Sequence, residues 1–147
     1  MIYEAVLSLA TLNADETKIL QDPGGWEYIT ISDADNGIQT KHTCFDGQPH
    51  PNECSGTLIL NANNTFVEKV HIHGKTVERH GGYQLNGDEI TFVDELGTSD
   101  GPYTMEVNTQ TKRLVLQIKQ AAGTLVRSEL ELETEYKKQK QARSKPQ

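Results

Sequence analysis

"GGYQLNGDEITF", residues 81–92, decides how this chain folds. On each side of Asn86-Gly87, apolar side chains alternate with polar ones, and a period of two is the pattern of a half-buried strand. Asn-Gly suits the two positive-φ positions of a type I′ hairpin. With Asn86 and Gly87 as the loop, Tyr83 pairs with Ile90, and Tyr83, Leu85, Ile90 and Phe92 share one face. The unit is an antiparallel hairpin with one apolar side.

Outward from this hairpin the texture repeats, with turn residues every eight to twelve positions. Strands are expected over residues 26–32, 38–45, 56–61, 65–73, 76–85, 89–94, 103–108, 113–119 and 124–133. "LNANNTF" suits a tight loop with Asn64 in the left-handed position, which Asn tolerates better than most residues. Tyr103, Met105 and Val107 alternate with polar residues, as do Leu114, Leu116 and Ile118, and Val126, Leu130 and Leu132 lie opposite Glu129, Glu131 and Glu133. Strands with one apolar face, joined as a meander, have exposed edges unless the sheet closes. The expected fold is therefore all-β, an antiparallel up-and-down barrel of about eight or nine strands, whose interior is filled by side chains or holds one small ligand.

A chain of 147 residues is long enough for one such core. Three segments are expected: 1–22, a short N-terminal helix and lead-in; 23–135, the barrel; and 136–147, a flexible basic tail. The helix rests on Ile2, Ala5, Val6, Leu9 and Leu12, spaced by three and four. The last twelve residues carry +5 and the whole chain −7, so the body carries −12. Such a surface repels phosphate backbones and anionic lipid, and no apolar run reaches the roughly 18 residues that span a bilayer. Nucleic acid and membrane are therefore not expected partners, and the oligomeric state is open. Cys44 and Cys54 flank "FDGQPHPNE". They are either free thiols, as in the cytoplasm taken by default, or a disulfide, which would point to a secreted or periplasmic protein. With His50 between them, they also form part of a thiolate–imidazole set that lacks a fourth ligand.

Four segments in this order, "GGWEYITIS", "SGTLILNANNTF", "GGYQLNGDEITF" and "RLVLQI", resemble bacterial lipocalin-like domains of the calycin superfamily over residues 23–133. The resemblance implies a lipocalin-like barrel and a small, mainly apolar ligand in its lumen. It identifies Gly24 and Trp26 with the family's first-strand motif, and implies that Arg127 lies over Trp26 at the barrel base. Alternation alone sets Arg127 on the side of Glu129 and Glu131.

The candidate site residues lie around the second hairpin, "HIHGKTVERH". A two-residue loop at Gly74-Lys75 would pair His73 with Thr76, His71 with Glu78 and Lys69 with His80, and place Arg79 diagonal to Glu68. Phe66, Glu68, Val70, Ile72, Val77 and Arg79 then face inward. A charge in that interior needs a partner or a ligand. Arg79, Glu68, Tyr83 and Tyr103 are the expected polar anchors, with Phe66 and Phe92 as apolar walls, and an arginine suits a ligand carboxylate. His71, His73, Glu78 and His80 would share the outer face, where imidazoles and a carboxylate suit zinc, iron, manganese or copper. The spacing matches part of a cupin motif, but no histidine follows His80 to complete it. Lys69 also stands beside them, so no metal and no cofactor is expected. The expected function is binding of a small, mainly apolar molecule, neutral or anionic, in the barrel lumen. The alternatives are a lipocalin-fold enzyme (isomerase, hydrolase or lyase) using Glu68 or a metal, and an interaction module with a filled barrel.

Overall fold

The structure, a computed structural model, describes residues 11–35, 38–119 and 125–144. The helix expected over residues 2–12 falls almost wholly outside them. The first described element is α1 (Ala14–Leu20), which starts at a reciprocal cap: Glu16 N–H donates to Asn13 Oδ1 at 2.8 Å, and Asn13 N–H donates to Glu16 Oε1 at 2.9 Å.

Nine strands follow: β1 (Trp26–Asp35), β2 (Ile38–Thr43), β3 (Cys54–Leu60), β4 (Thr65–Ile72), β5 (Lys75–Asn86), β6 (Glu89–Asp94), β7 (Ser99–Asn108), β8 (Arg113–Lys119) and β9 (Leu125–Leu132). β1 and β3 to β9 pair with their neighbours, and β9 returns to β1, which closes an eight-stranded antiparallel barrel. β2 is the extra strand, paired with the far half of β1. α2 (Glu133–Ser144) ends the described chain.

The two hairpin loops each sit one residue from their expected positions. β4 and β5 turn at His73-Gly74, both with positive φ (56° and 72°), so Glu68 pairs with Arg79, Lys69 with Glu78 and His71 with Thr76. β5 and β6 turn at Gly87-Asp88, so Tyr83 pairs with Phe92 and Leu85 with Ile90. Each correction moves a partner by two residues, which leaves every side chain on its expected face. The hydrophobic pattern cannot choose between registers two residues apart. Direct opposition of Glu68 to Arg79 and of Lys69 to Glu78 favours the one observed.

At one end of the interior Trp26, Leu58, Leu60, Phe66, Leu114 and Leu130 are almost fully buried. Leu20 caps them, its carbonyl accepting the Trp26 indole N–H at 3.0 Å. Asn64 takes the left-handed conformation, at φ 65°.

The basic stretch expected as a flexible tail lies mostly in α2. The helix packs against β1 and β9, with Tyr136 against Phe45 at 4.6 Å between ring centroids. It buries Glu131, which alternation had placed in solvent, to 2% exposure. The outer face of a barrel stays wet only where nothing packs on it, and alternation does not reveal a covering helix.

Candidate functional site

Above the filled end lies a cavity of about 340 Å³ whose walls include Tyr28, Ile31, Glu68, Val70, Arg79 and Phe92. Val77, 46% exposed, also lines it, so the cavity reaches the surface beside β5. Two register shifts shape its lining. In β1 a bulge at Ile29 turns Ile31 inward, although Trp26 and Tyr28 before it also face in. In β7, Gly101 and Pro102 stand opposite the single residue Thr91, so that Asp100 faces Phe92 and Tyr103 faces Ile90. An extra residue in one strand re-aims the side chains beyond it. Here it brings both Asp100 and Tyr103 to the inner face.

A polar network crosses this lining. Arg79 Nε donates to Glu68 Oε1 at 2.9 Å, and its Nη2 lies 2.8 Å from the same oxygen. Arg79 Nη1 donates to Asp100 Oδ2 at 2.9 Å, and the Tyr103 hydroxyl donates to Asp100 Oδ1 at 2.8 Å. The Tyr28 hydroxyl donates to Glu68 Oε2. The guanidinium also lies 5.8 Å from the ring centroids of both Phe66 and Phe92, within cation–π range.

The ionisation states follow from these contacts. Burial pulls the Arg79 guanidinium down, but the charge of Glu68 and the bonds to Asp100 and Glu68 outweigh it, and its pKa stands above the usual value. Burial, and then the adjacent Glu68, pushes the Tyr28 hydroxyl well up. Burial and the bond to Asp100 do the same for Tyr103. Both phenols therefore remain neutral donors at any physiological pH.

Among the expected anchors, the structure brings Arg79, Glu68, Tyr103 and Phe92 together at the cavity. Phe66 packs behind it, edge to face with Phe92 at 4.9 Å. Tyr83 lies apart: its hydroxyl donates to the Asn61 carbonyl at 2.6 Å and accepts from Gln21 Nε2 at 2.7 Å, tying α1 to the barrel. Tyr28 and Asp100 were missed. Tyr28 follows Trp26 by two residues, so alternation pointed to it, whereas Asp100 precedes the strand expected from residue 103 and only the bulge turns it inward.

The expected barrel-base contact of Arg127 is also corrected. Arg127 donates to Glu129 Oε1 at 2.9 Å on the outer face and pairs with Ser32. Ser32 is six residues from Trp26 along β1, roughly 20 Å of strand. Gly24 N–H donates to Asp22 Oδ2 at 2.9 Å in the lead-in to β1.

The four outer metal candidates are not gathered. His71 shares a hydrogen bond with Thr76 at 3.0 Å, Glu78 faces Lys69 at 3.5 Å and His80 faces Glu95 at 3.4 Å. His73 turns away to Asp33 at 3.2 Å. Cys44 and Cys54 form a disulfide. His50 bonds Asp46 at 2.8 Å instead of joining a metal set with the sulfurs. No helix among the described residues is long and apolar enough to cross a membrane. The chain matches no protein-family model and no curated protein.

Proposed function

We propose that this is a lipocalin-like binding protein that holds a small, mainly apolar molecule in the barrel lumen. The observation that carries the reading is the juxtaposition of empty space with a built polar wall: a cavity of about 340 Å³ faces Arg79, Glu68, Tyr28 and Tyr103. That volume lies in the range of small-molecule sites, which combine apolar walls with a few convergent polar groups.

The network also narrows the ligand. Glu68 and Asp100 both bond Arg79, so two carboxyl groups face one guanidinium and no positive charge is left unmatched. Bringing a further anion into this setting leaves it without a counter-charge. A neutral molecule with one hydroxyl or amide, bonded to Glu68 or a tyrosine hydroxyl at the cavity wall, fits better than a carboxylate. The Cys44–Cys54 disulfide favours an oxidising compartment over the cytoplasm.

Uptake of a neutral solvatochromic dye such as Nile red, followed by fluorescence, tests the reading. Saturable one-to-one uptake is expected, competed by neutral amphiphiles more strongly than by fatty acids of equal length, and abolished by filling the cavity with Val70→Trp. Absence of uptake, or equal uptake by the filled variant, would sink it.

A further inference from the structure

A second group of side chains converges above the cavity wall. Beyond the Ile29 bulge, Ile31 faces the cavity, and Asp33, two residues further along β1, lies on the same face. His42 in β2 pairs with Ile31, so it stands diagonal to Asp33. His73 arrives from the opposite side, in the β4–β5 turn directly after Ile72, which pairs with Cys54. The Cys44–Cys54 disulfide fastens the chain two residues after His42 to the start of β3, whose Cys54 pairs with Ile72 at the base of this turn. Three separate segments are thereby held together.

Their polar atoms are close. Asp33 Oδ2 lies 3.2 Å from His73 Nε2 and Asp33 Oδ1 lies 3.7 Å from His42 Nε2. The two imidazoles meet edge to face with centroids 4.8 Å apart, and one ligand atom from each residue lies within 4.8 Å of the others. His42 Nε2 is buried with no hydrogen-bond partner, because 3.7 Å is too long for one. A buried polar atom without a partner calls for something that satisfies it.

We propose that Asp33, His42 and His73 form a three-ligand site for Zn²⁺. Two imidazoles and a carboxylate are donors this ion takes at about 2.0–2.1 Å, and tetrahedral bonds of that length set the donor atoms roughly 3.3 Å apart. The two Asp33 contacts run to different oxygens of one carboxylate, and with one ligand atom from each residue the three lie within 4.8 Å of one another, so rotation of the Asp33 carboxylate and of the half-exposed His73 brings one oxygen and both imidazole nitrogens to that spacing. Three protein ligands leave one position for water or an exchangeable anion, the arrangement of an open site rather than a closed structural one. The outer histidines, His71 and His80, take no part.

The test uses full-length protein without a polyhistidine tag, stripped with chelator and titrated with ZnCl₂ by calorimetry, and with Co²⁺ by visible absorption. One equivalent is expected to bind, with Co²⁺ giving the intense bands of tetrahedral coordination. Asp33→Asn, His42→Gln and His73→Asn are each expected to weaken binding by at least about tenfold, while the double change His71→Gln/His80→Gln leaves it unaltered. His73→Asn lies in an exposed turn, and Asn tolerates the left-handed backbone there, so this variant decides the matter even if His42→Gln does not fold. Absence of saturable binding, binding unaltered in His73→Asn, or binding lost in the His71/His80 variant would overturn the assignment.

Discussion

Two carboxylates are buried against arginines in this barrel, Glu68 on the inner face and Glu131 on the outer. Both oxygens of Glu68 are used, one by Arg79 and the other by Tyr28. Arg113 and Gln139 both donate to a single oxygen of Glu131 at 2.9 Å, and its other oxygen is buried without a partner. Glu68 faces a cavity, whereas Glu131 lies under α2. Burial of a charge is thus a poor marker of a site when taken alone. What distinguishes the inner network is that its groups are oriented by one another while one side stays open to a ligand. The desolvation of such a pair is seldom repaid by its own attraction, and this holds for both carboxylates, so it is the cavity beside Glu68 that singles out the inner network.

The largest expected effect separates these two carboxylates. Glu68→Leu leaves the Tyr28 hydroxyl and part of Arg79 buried without partners, and is expected to destabilise by about 2–4 kcal/mol, below the full cost of breaking a buried pair because Arg79 is partly exposed. Glu131→Leu frees Arg113, whose side chain is 36% exposed and rehydrates, so a loss of no more than about 1 kcal/mol is expected. Urea unfolding of both variants measures the difference, and equal losses would break the distinction. A smaller effect sharpens it. Replacing the whole inner set by apolar residues (Glu68→Leu, Arg79→Met, Asp100→Leu) is expected to return stability to within about 1 kcal/mol of the parent, as for other buried ionic clusters. Discrimination among polar ligands would be lost at the same time. If the replaced protein is far less stable, the network is there for the fold and not for a ligand.

How much of this was legible in the sequence depends on the period of the signal. All nine strands lie where alternation places them, because an apolar face repeated every second residue leaves few ways to cover it. The inward direction of Glu68 and Arg79 followed from Phe66 and Val70 beside them. Asp100 and Asp33 were not legible. Both reach the inner face through bulges, at Gly101-Pro102 and at Ile29; Gly-Pro marks an interruption without saying which way Asp100 turns, and Ile29 carries no sign at all. The trio of Asp33, His42 and His73 joins residues up to 40 positions apart, and proximity in the chain had grouped His73 with His71 and His80 instead. Glu131 was misplaced because the basic segment that covers it reads as a solvated end until α2 is seen packed against β1 and β9.

That covering helix sets the smallest and most specific of these effects. Glu27 pairs with Glu131 across β1 and β9. Burial, with Glu133 nearby, raises its carboxyl to about 7, against the opposing pull of Lys140 and Lys137. A carboxyl whose pKa is higher folded than unfolded binds its proton more tightly in the native state, so stability is greatest below the unfolded value near 4.5 and declines as pH rises toward 7. Above that the decline is complete, since both states are then ionised. This is the reverse of what a carboxylate held by a cation contributes. Glu27→Gln removes the titration while keeping the shape. The variant is expected to match the parent at pH 5 and to exceed its Tm by a few degrees at pH 8, with the gap opening between those values in thermal scans followed by circular dichroism. A constant gap at both pH values would mean that α2 leaves Glu27 in contact with water, and that the outer face beneath the helix is wetter than the inner network around Arg79.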